Sequence, residues 1–320
     1  MKRIFPLLLA ALLLAGCGKA ADPADLPPEV ERRLTVATSL EKEVWEPLVL
    51  EFEQRTGIWT EVVTGTAPEL MENWEDAGWD FVFGCETDFL AANADAFQPC
   101  PDISEDFGEF SPIGETYCPI SSQGVVLIYN PKLIRQNPPT GFDSLLDPAW
   151  RGHIAFADPR QSDFGRTVLE ILTLENPGEE PETVLTRFSG NLGALLPDIG
   201  AVIDSVADGS CRLAVVPEDA AKRCLRAGGS LAVVYPSQGT YRISQGCAIF
   251  RDAPHRENGE AFLRFLLSRD AQSYALEETD RGSVLSSLGE REGEFYDAAA
   301  AGARQESMLA LWEKIREGEK

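Results

Sequence analysis

The sequence predicts an α/β protein built as two lobes. Three observations carry this. The first stretch of the chain alternates strand and helix in the order β–α–β–α–β, which makes a parallel sheet with crossover helices. A second series of apolar strands and amphipathic helices runs from about residue 124 to 250. The chain of 320 residues is long enough to bury two cores.

Leu34–Thr38 (L-T-V-A-T) reads as the first strand, and Ser39 is placed to cap the helix Leu40–Arg55. Val44, Leu48 and Phe52 recur in that helix at helical spacing, and Gly57 closes it. Trp59–Val63 is the second strand. Pro68 opens a helix over Glu69–Glu75, and Trp79–Gly84 (W-D-F-V-F-G) is the third strand. Ligands of such sheets bind beyond the carboxyl ends of the strands, which here carry Thr38-Ser39, Thr64-Gly65-Thr66 and Cys85-Glu86. Pro99–Pro119 is irregular. Gly124–Asn130 is a strongly apolar strand, and a short helix follows around Phe142–Leu146.

Ile154–Thr167 (I-A-F-A-D-P-R-Q-S-D-F-G-R-T) is the most telling stretch. A short buried strand, Ile154–Ala157, enters a turn at Asp158-Pro159. Ser162 and Asp163 then cap a helix whose apolar pattern resumes at Val168, Ile171 and Leu172. A strand that feeds a helix N-terminus leaves free N–H groups at a sheet edge, a ready place for an anion. Beyond it come helices around Glu182–Asn191 and Ile199–Ala207, a strand at Cys211–Val216 and a helix at Glu218–Ala227. Strands at Leu231–Tyr235 and Gln245–Phe250 and a helix at Glu260–Ser268 complete the pattern before a mostly helical C-terminal third. Trp45, Trp59 and Trp74 sit at element positions and read as core.

Lys2, Arg3 and the apolar run Leu7–Leu14 form a signal peptide, residues 1–16, and Leu14-Ala15-Gly16-Cys17 ends it. A proline-containing tether fills residues 17–33. No later stretch approaches the ~20 apolar residues of a membrane span. Loss of Lys2 and Arg3 takes the formal charge from −24 to −26, which excludes nucleic acid as a partner. Six cysteines besides Cys17 in an exported chain argue for disulfides. With no C-x-x-C and only His153 and His255, a zinc site is excluded, and no metal or other cofactor is expected. There is no G-x-S-x-G, H-E-x-x-H, phosphate loop or dinucleotide fingerprint, so the chain is not read as an enzyme.

The L-A-G-C ending resembles the lipobox of bacterial lipoproteins, which implies a diacylglyceryl group on Cys17 and a chain anchored to a bacterial membrane by lipid. From about 34 to 285 the chain resembles extracellular solute-binding proteins of ABC importers. The branch is that of the ferric-iron, phosphonate, sugar-phosphate, polyamine and thiamine binders. The resemblance rests on L-T-V-A-T-S-L-E-K-E-V-W-E-P-L-V-L-E-F-E-Q-R-T-G-I, W-D-F-V-F-G, G-V-V-L-I-Y-N-P-K-L-I and F-D-S-L-L-D-P-A-W-R-G-H-I-A-F-A-D-P-R-Q-S. It continues with G-S-C-R-L-A-V-V-P-E-D-A-A and Q-G-C-A-I-F-R-D-A-P-H-R-E-N-G-E-A-F-L-R-F-L-L-S-R-D-A-Q, in that order.

The resemblance implies a type 2 periplasmic-binding (Venus-flytrap) fold with two chain crossovers. Residues 34–120 plus 245–320 would form lobe 1 and residues 121–244 lobe 2, with the solute held between them. It implies a monomer that delivers to an ABC permease and its ATPase, or, alternatively, to a membrane sensor. Carried over by position, Thr38, Ser39, Thr66 and Glu86 of lobe 1 would touch the ligand. From lobe 2 the contacts would be Arg160, Ser162, Asp163, Phe164 and Glu218, with Tyr241 near the hinge. Hydroxyls and helix N-termini suit a phosphate, phosphonate or carboxylate, while Glu86 and Glu218 in the cleft would call for an amine on the ligand. The ferric-iron binders carry adjacent tyrosines where this chain has Val216-Pro217-Glu218-Asp219. Iron here would have only Glu86, Asp163 and Glu218 as carboxylate ligands. The fold also sets Gln245–Phe250 beside Trp79–Gly84, which implies a Cys85–Cys247 disulfide and leaves Cys100–Cys118 and Cys211–Cys224 as the other pairs.

Overall fold

The structure is a computed structural model that describes residues 32–72, 74–103, 107, 115–288, 294–295 and 298–318. The signal peptide, Cys17 and the tether up to residue 31 lie outside the described residues. Apolar alternation and crossover helices give the first section its parallel order: β1 (Arg33–Thr38), α1 (Lys42–Thr56), β2 (Trp59–Thr64), α2 (Ala67–Glu72), α3 (Trp74–Ala77), β3 (Phe81–Glu86) and α4 (Thr87–Ala92). β1 lies parallel to both neighbours, with Val36 opposite Val62 on one side and Phe81 on the other. Val44, Leu48, Val49 and Phe52 form the buried stripe of α1, and Gly57 ends that helix in the left-handed conformation at φ 70°. Ser39 does not cap α1. The N-cap is Glu41, without a side-chain bond, and the Ser39 hydroxyl donates instead to Gly84 O at 3.1 Å.

The second section comprises β4 (Cys118–Tyr129), α5 (Asp143–Leu146), β5 (Ile154–Ala157), α6 (Asp163–Leu174), α7 (Pro181–Asn191), β6 (Leu192–Leu196), α8 (Ile199–Asp208), β7 (Leu213–Pro217), α9 (Glu218–Arg226) and β8 (Ala232–Val234). The chain ends with β9 (Tyr241–Ile249), α10 (Arg256–Leu267), α11 (Arg269–Thr279), β10 (Glu294–Phe295) and α12 (Ala298–Gly318). Strand order is β2-β1-β3-β9-β4-β7-β5-β6, with β8 on β4 and β10 on β9.

Two strands join the halves of this sheet. β4 runs antiparallel to β9 through Gly124 and, from Val125 on, antiparallel to β7. It starts six residues earlier than its apolar run predicts. The extra residues include Ser121, Ser122 and Gln123, which are polar yet buried, so hydropathy does not mark them. β9 likewise starts at Tyr241 rather than Gln245. β6 is an edge strand of half-buried residues and carries no clear period. Trp59 is not core: it opens the other edge strand, 55% exposed, with the Arg33 guanidinium 5.4 Å from its ring.

One core, around Val126, Leu127, Phe156 and Phe188, fills the second half of the sheet; two more cover the two faces of the first half. α12 departs from the expected grouping of residues 245–320. Trp312 and Ile315 are buried in the core of the second half, and Trp312 meets the rings of Phe156 and Phe188 at 6.0 Å.

All six cysteines of the described residues are free thiols. Cys85 does not face Cys247. Cys247 pairs with Phe83, and a bulge at Gly84, φ +83°, shifts the register beyond it so that Cys85 pairs with Gly246. The extra residue turns the Cys85 side chain to the opposite face of the sheet from Cys247. Cys211 lies against Gly193 of β6 and Cys224 against Gly229 beyond α9, so these thiols have different neighbours and are not bonded.

Candidate functional site

A cavity of about 570 Å³ opens between the halves of the sheet. From the first half it is walled by the carboxyl ends of β1, β2 and β3. From the second it is walled by the beginnings of α6, α8 and α9. Thr38, Ser39, Thr66, Glu86, Ser162, Asp163 and Phe164 all line it.

Ser162 behaves as its sequence position predicts. Its Oγ accepts from Gly165 N–H at 3.1 Å and caps α6. Asp198 caps α8 in the same way, accepting from Ala201 N–H at 2.7 Å. α1 and α9 start without side-chain caps. The first residues of α6, α8 and α9 and the N-cap of α1, Glu41, border the cavity, so four positive dipole ends are directed at it.

Three of the expected contacts lie elsewhere. Arg160 is held in a turn by Asp158, with Nε 2.9 Å from Oδ1, and its side chain is 54% exposed. Glu218 is turned from the cavity onto Gly124: the Tyr235 hydroxyl donates to it at 2.8 Å, and Lys222 pairs with it. The Tyr241 hydroxyl donates to Glu175 Oε1 at 2.5 Å, and its ring packs on Phe142. None of these three lines the cavity.

The cavity's guanidinium groups were not found from sequence. Arg223 and Arg281 share one buried carboxylate, Asp219. Arg223 Nη1 is 2.9 Å from Asp219 Oδ2, and Arg281 Nε is 3.2 Å from the same oxygen. Arg281 also donates to Gln245 Oε1, and Asp219 Oδ1 is buried with no hydrogen-bond partner among the described residues. The signal for part of this was present, since Asp219 and Arg223 stand at i and i+4 in the first turns of α9. Arg281 follows Asp280, a non-glycine residue at φ 58° in a loop, and no pattern in the sequence points it inward.

The cavity also carries acidic groups, Glu41, Glu86 and Asp163. Burial pushes the Glu86 carboxyl well above its usual range, and the nearby Asp88 charge adds to this. The Thr167 hydroxyl, donating at 2.7 Å to both oxygens, offsets part of it. Burial also raises Asp163, against Arg166 at 3.0 Å, and raises Glu41, against Arg223 at 2.7 Å. The same side chains bridge the halves. Asp163 Oδ2 accepts from Ala67 N–H of α2 at 3.1 Å, Thr167 of α6 reaches Glu86 of β3, and Arg223 of α9 reaches Glu41 before α1. Arg226 extends this seam to Asp280 at 2.7 Å.

A two-part α/β sheet with a polar cavity at the strand carboxyl ends, closed by contacts between the parts, defines a binding protein of the type 2 periplasmic-binding fold. Residues 33–277 match the family of bacterial extracellular solute-binding proteins, and the chain belongs to that family. The family is one of binding proteins rather than enzymes. Iron uptake protein A1 of Synechocystis sp. (strain ATCC 27184 / PCC 6803 / Kazusa) is 23% identical to it, over 89% of this chain and 85% of that protein. The fold is like that of the apo ferric ion-binding protein A of Pasteurella haemolytica, with a TM-score of 0.76 at 14% identity over 89% of this chain and 98% of the other. It is also like AfuA from Actinobacillus pleuropneumoniae, solved with fructose-6-phosphate bound. There the TM-score is 0.78 at 15% identity, over 88% and 98% of the two chains.

Proposed function

We propose that this protein captures a small organic solute bearing an oxyanion, a phosphate, phosphonate or carboxylate, for an ABC importer. The observation that carries this reading is the convergence of four helix N-termini and two guanidinium groups, Arg223 and Arg281, on one cavity. Its volume of about 570 Å³ suits an organic molecule and is far larger than a bare ion needs. Glu86 and Asp163, which also line the cavity, would meet hydroxyl or amine groups of the same molecule. The solute would bridge the lobes, 34–120 with the returning chain from 245 and 121–244, which turn about β4 and β9, and so favour the closed form that the permease recognises. Lipid on Cys17 would hold this monomeric protein at the membrane. A membrane sensor is the alternative recipient, and the closed form would serve either.

Ferric iron is a second reading, favoured by the likeness to iron uptake protein A1. The donors present suit it poorly. Among the described residues no tyrosine or histidine lines the cavity, and no group of three histidine, cysteine, aspartate or glutamate side chains is placed to hold a metal ion.

The test is thermal unfolding of the signal-less protein with sugar phosphates, phosphonates, aminophosphonates, polyamines, thiamine and ferric citrate. A ligand at ~100 times its Kd adds about 2.7 kcal/mol, which moves Tm of a chain this size by roughly 5 °C. A shift with phosphate- or phosphonate-bearing compounds supports the reading. A shift with polyamines or ferric citrate alone overturns it.

A further inference from the structure

Two thiols approach each other at the base of the strand pair that joins the halves, outside the cavity. Cys118 Sγ opens β4 fully buried, and Cys100 Sγ lies 3.0 Å from it, inside the ~3.5 Å of ordinary heavy-atom contact. The backbone has already drawn these segments together: Cys100 N–H donates to Glu115 O at 2.8 Å, three residues before Cys118. A third thiol shares their face of the sheet, since Cys247 of β9 stands directly opposite Cys118. Cys85 is on the other face, and Cys211 and Cys224 belong to the second half.

The geometry points to a disulfide between Cys100 and Cys118, formed when the chain reaches an oxidising compartment, with Cys247 left as a thiol. Of the two sulfurs near Cys118, Cys100 is the one already in contact. It is also the only one of the three that is partly exposed. The Cys100 thiolate attacks the disulfide of an oxidant, a protein or small-molecule disulfide, and displaces one of its sulfurs as a thiolate. Cys118 then attacks the Cys100 sulfur of the mixed disulfide and displaces the second. Two electrons and two protons pass from the cysteine pair to the oxidant, which leaves as a dithiol or as two thiols. Contact with Cys100 and burial both hold the Cys118 thiol far above its usual range, and burial does the same for Cys247. The second step is therefore slow once the protein has folded, and the bond forms during folding, before Cys118 is covered.

The link ties the irregular segment after Cys100 to the first residue of β4. It closes a short loop and pins one end of the joining strand, so its loss lowers Tm by roughly 5–10 °C.

The test is peptide mapping of the exported full-length chain, alkylated under denaturing, non-reducing conditions. The expected result is one linked peptide pair, Cys100 with Cys118, and alkylated Cys85, Cys211, Cys224 and Cys247. Alkylation of Cys100 or Cys118, or a link from either to any other cysteine, overturns the assignment. Cys100→Ser, at a partly exposed position, should fold, release Cys118 to alkylation in denaturant and abolish the reductant-sensitive part of Tm. Cys247→Ser should keep the link. A Cys100→Ser protein with unchanged Tm and unchanged response to reductant also overturns it.

Discussion

Replacing Glu170 with Gln should remove much of the pH dependence of stability. Glu170 lies on α6, 2% exposed, and its Oε1 has no hydrogen-bond partner among the described residues. Burial, reinforced by the charge of Asp88 and partly offset by Arg304 of α12, pushes its carboxyl up to about 8. The folded chain therefore keeps a proton that the unfolded chain releases from about pH 4.5 upward. This contribution to stability is complete below that pH and is lost as pH rises through 8. The full displacement corresponds to about 5 kcal/mol at about 1.36 kcal/mol for each pH unit. Relaxation around the charge and residual structure in the unfolded chain bring the realised loss to about 2–4 kcal/mol. Asp88, raised to about 6 by burial, adds a loss in the same direction at lower pH. Urea unfolding at pH 5, 7 and 8.5 measures the effect. The wild-type chain should lose stability over this range, and Glu170→Gln should lose about 2–4 kcal/mol less. Equal pH slopes in the two proteins would refute the assignment of the buried charge to Glu170.

Three further substitutions test the cavity and its frame. Arg281→Gln leaves Asp219 with Arg223 alone, so affinity for an oxyanion should fall about 10- to 100-fold by calorimetry; unchanged affinity would place the anion elsewhere. Ser162→Ala removes the α6 cap and should cost about 1 kcal/mol in urea unfolding, with weaker oxyanion binding; loss of the cap energy without any change in binding would separate α6 from the ligand. Gly84→Ala sets a Cβ 2.2 Å from Leu40 Cγ at a φ of +83°, for a loss of about 3 kcal/mol from overpacking and left-handed strain. A protein as stable as wild type would mean that the bulge is not fixed by this glycine.

The parts of the molecule legible in the sequence are those governed by one local rule. Ile154–Ala157 followed by Ser162 reads as a strand and a capped helix because burial and capping are both written in neighbouring residues, and the structure has both at those positions. Ser39 looks like the same kind of cap, but the close approach of the Gly84 carbonyl takes its hydroxyl. The Gly84 bulge hides from hydropathy as well; the register sets Cys247 opposite Phe83, and the bulge then turns Cys85, two residues on, to the other face of the sheet. Glu218 and Asp219 are neighbours at the start of α9, and sequence gives no reason to prefer either. The helical turn sends Glu218 over Gly124 and Asp219 toward the two arginines. Arg281 is beyond any local reading, because its place depends on a loop that returns from α11 to lie beside α9.

Under the proposed function, these positions would couple capture to closure. Arg223 belongs to α9, yet its guanidinium divides between Asp219 of its own helix and Glu41 at the start of α1. Asp163 divides in the same way between Arg166 and the first turn of α2. Arg223 and Asp163 are therefore each half of a contact across the seam, and burial disfavours the ionised form of the two carboxyls involved, Glu41 and Asp163. With the halves apart, water solvates these carboxyls and the raised values relax. With the halves together, the seam is favourable only if the positive helix ends and guanidinium groups meet enough negative charge and the buried acids are neutral or paired. A solute with an oxyanion satisfies the first condition, and hydroxyl or amine groups facing Glu86 and Asp163 satisfy the second. A solute that supplies only one of the two would bind one wall without favouring closure, so selectivity would arise from the seam as much as from the cavity itself.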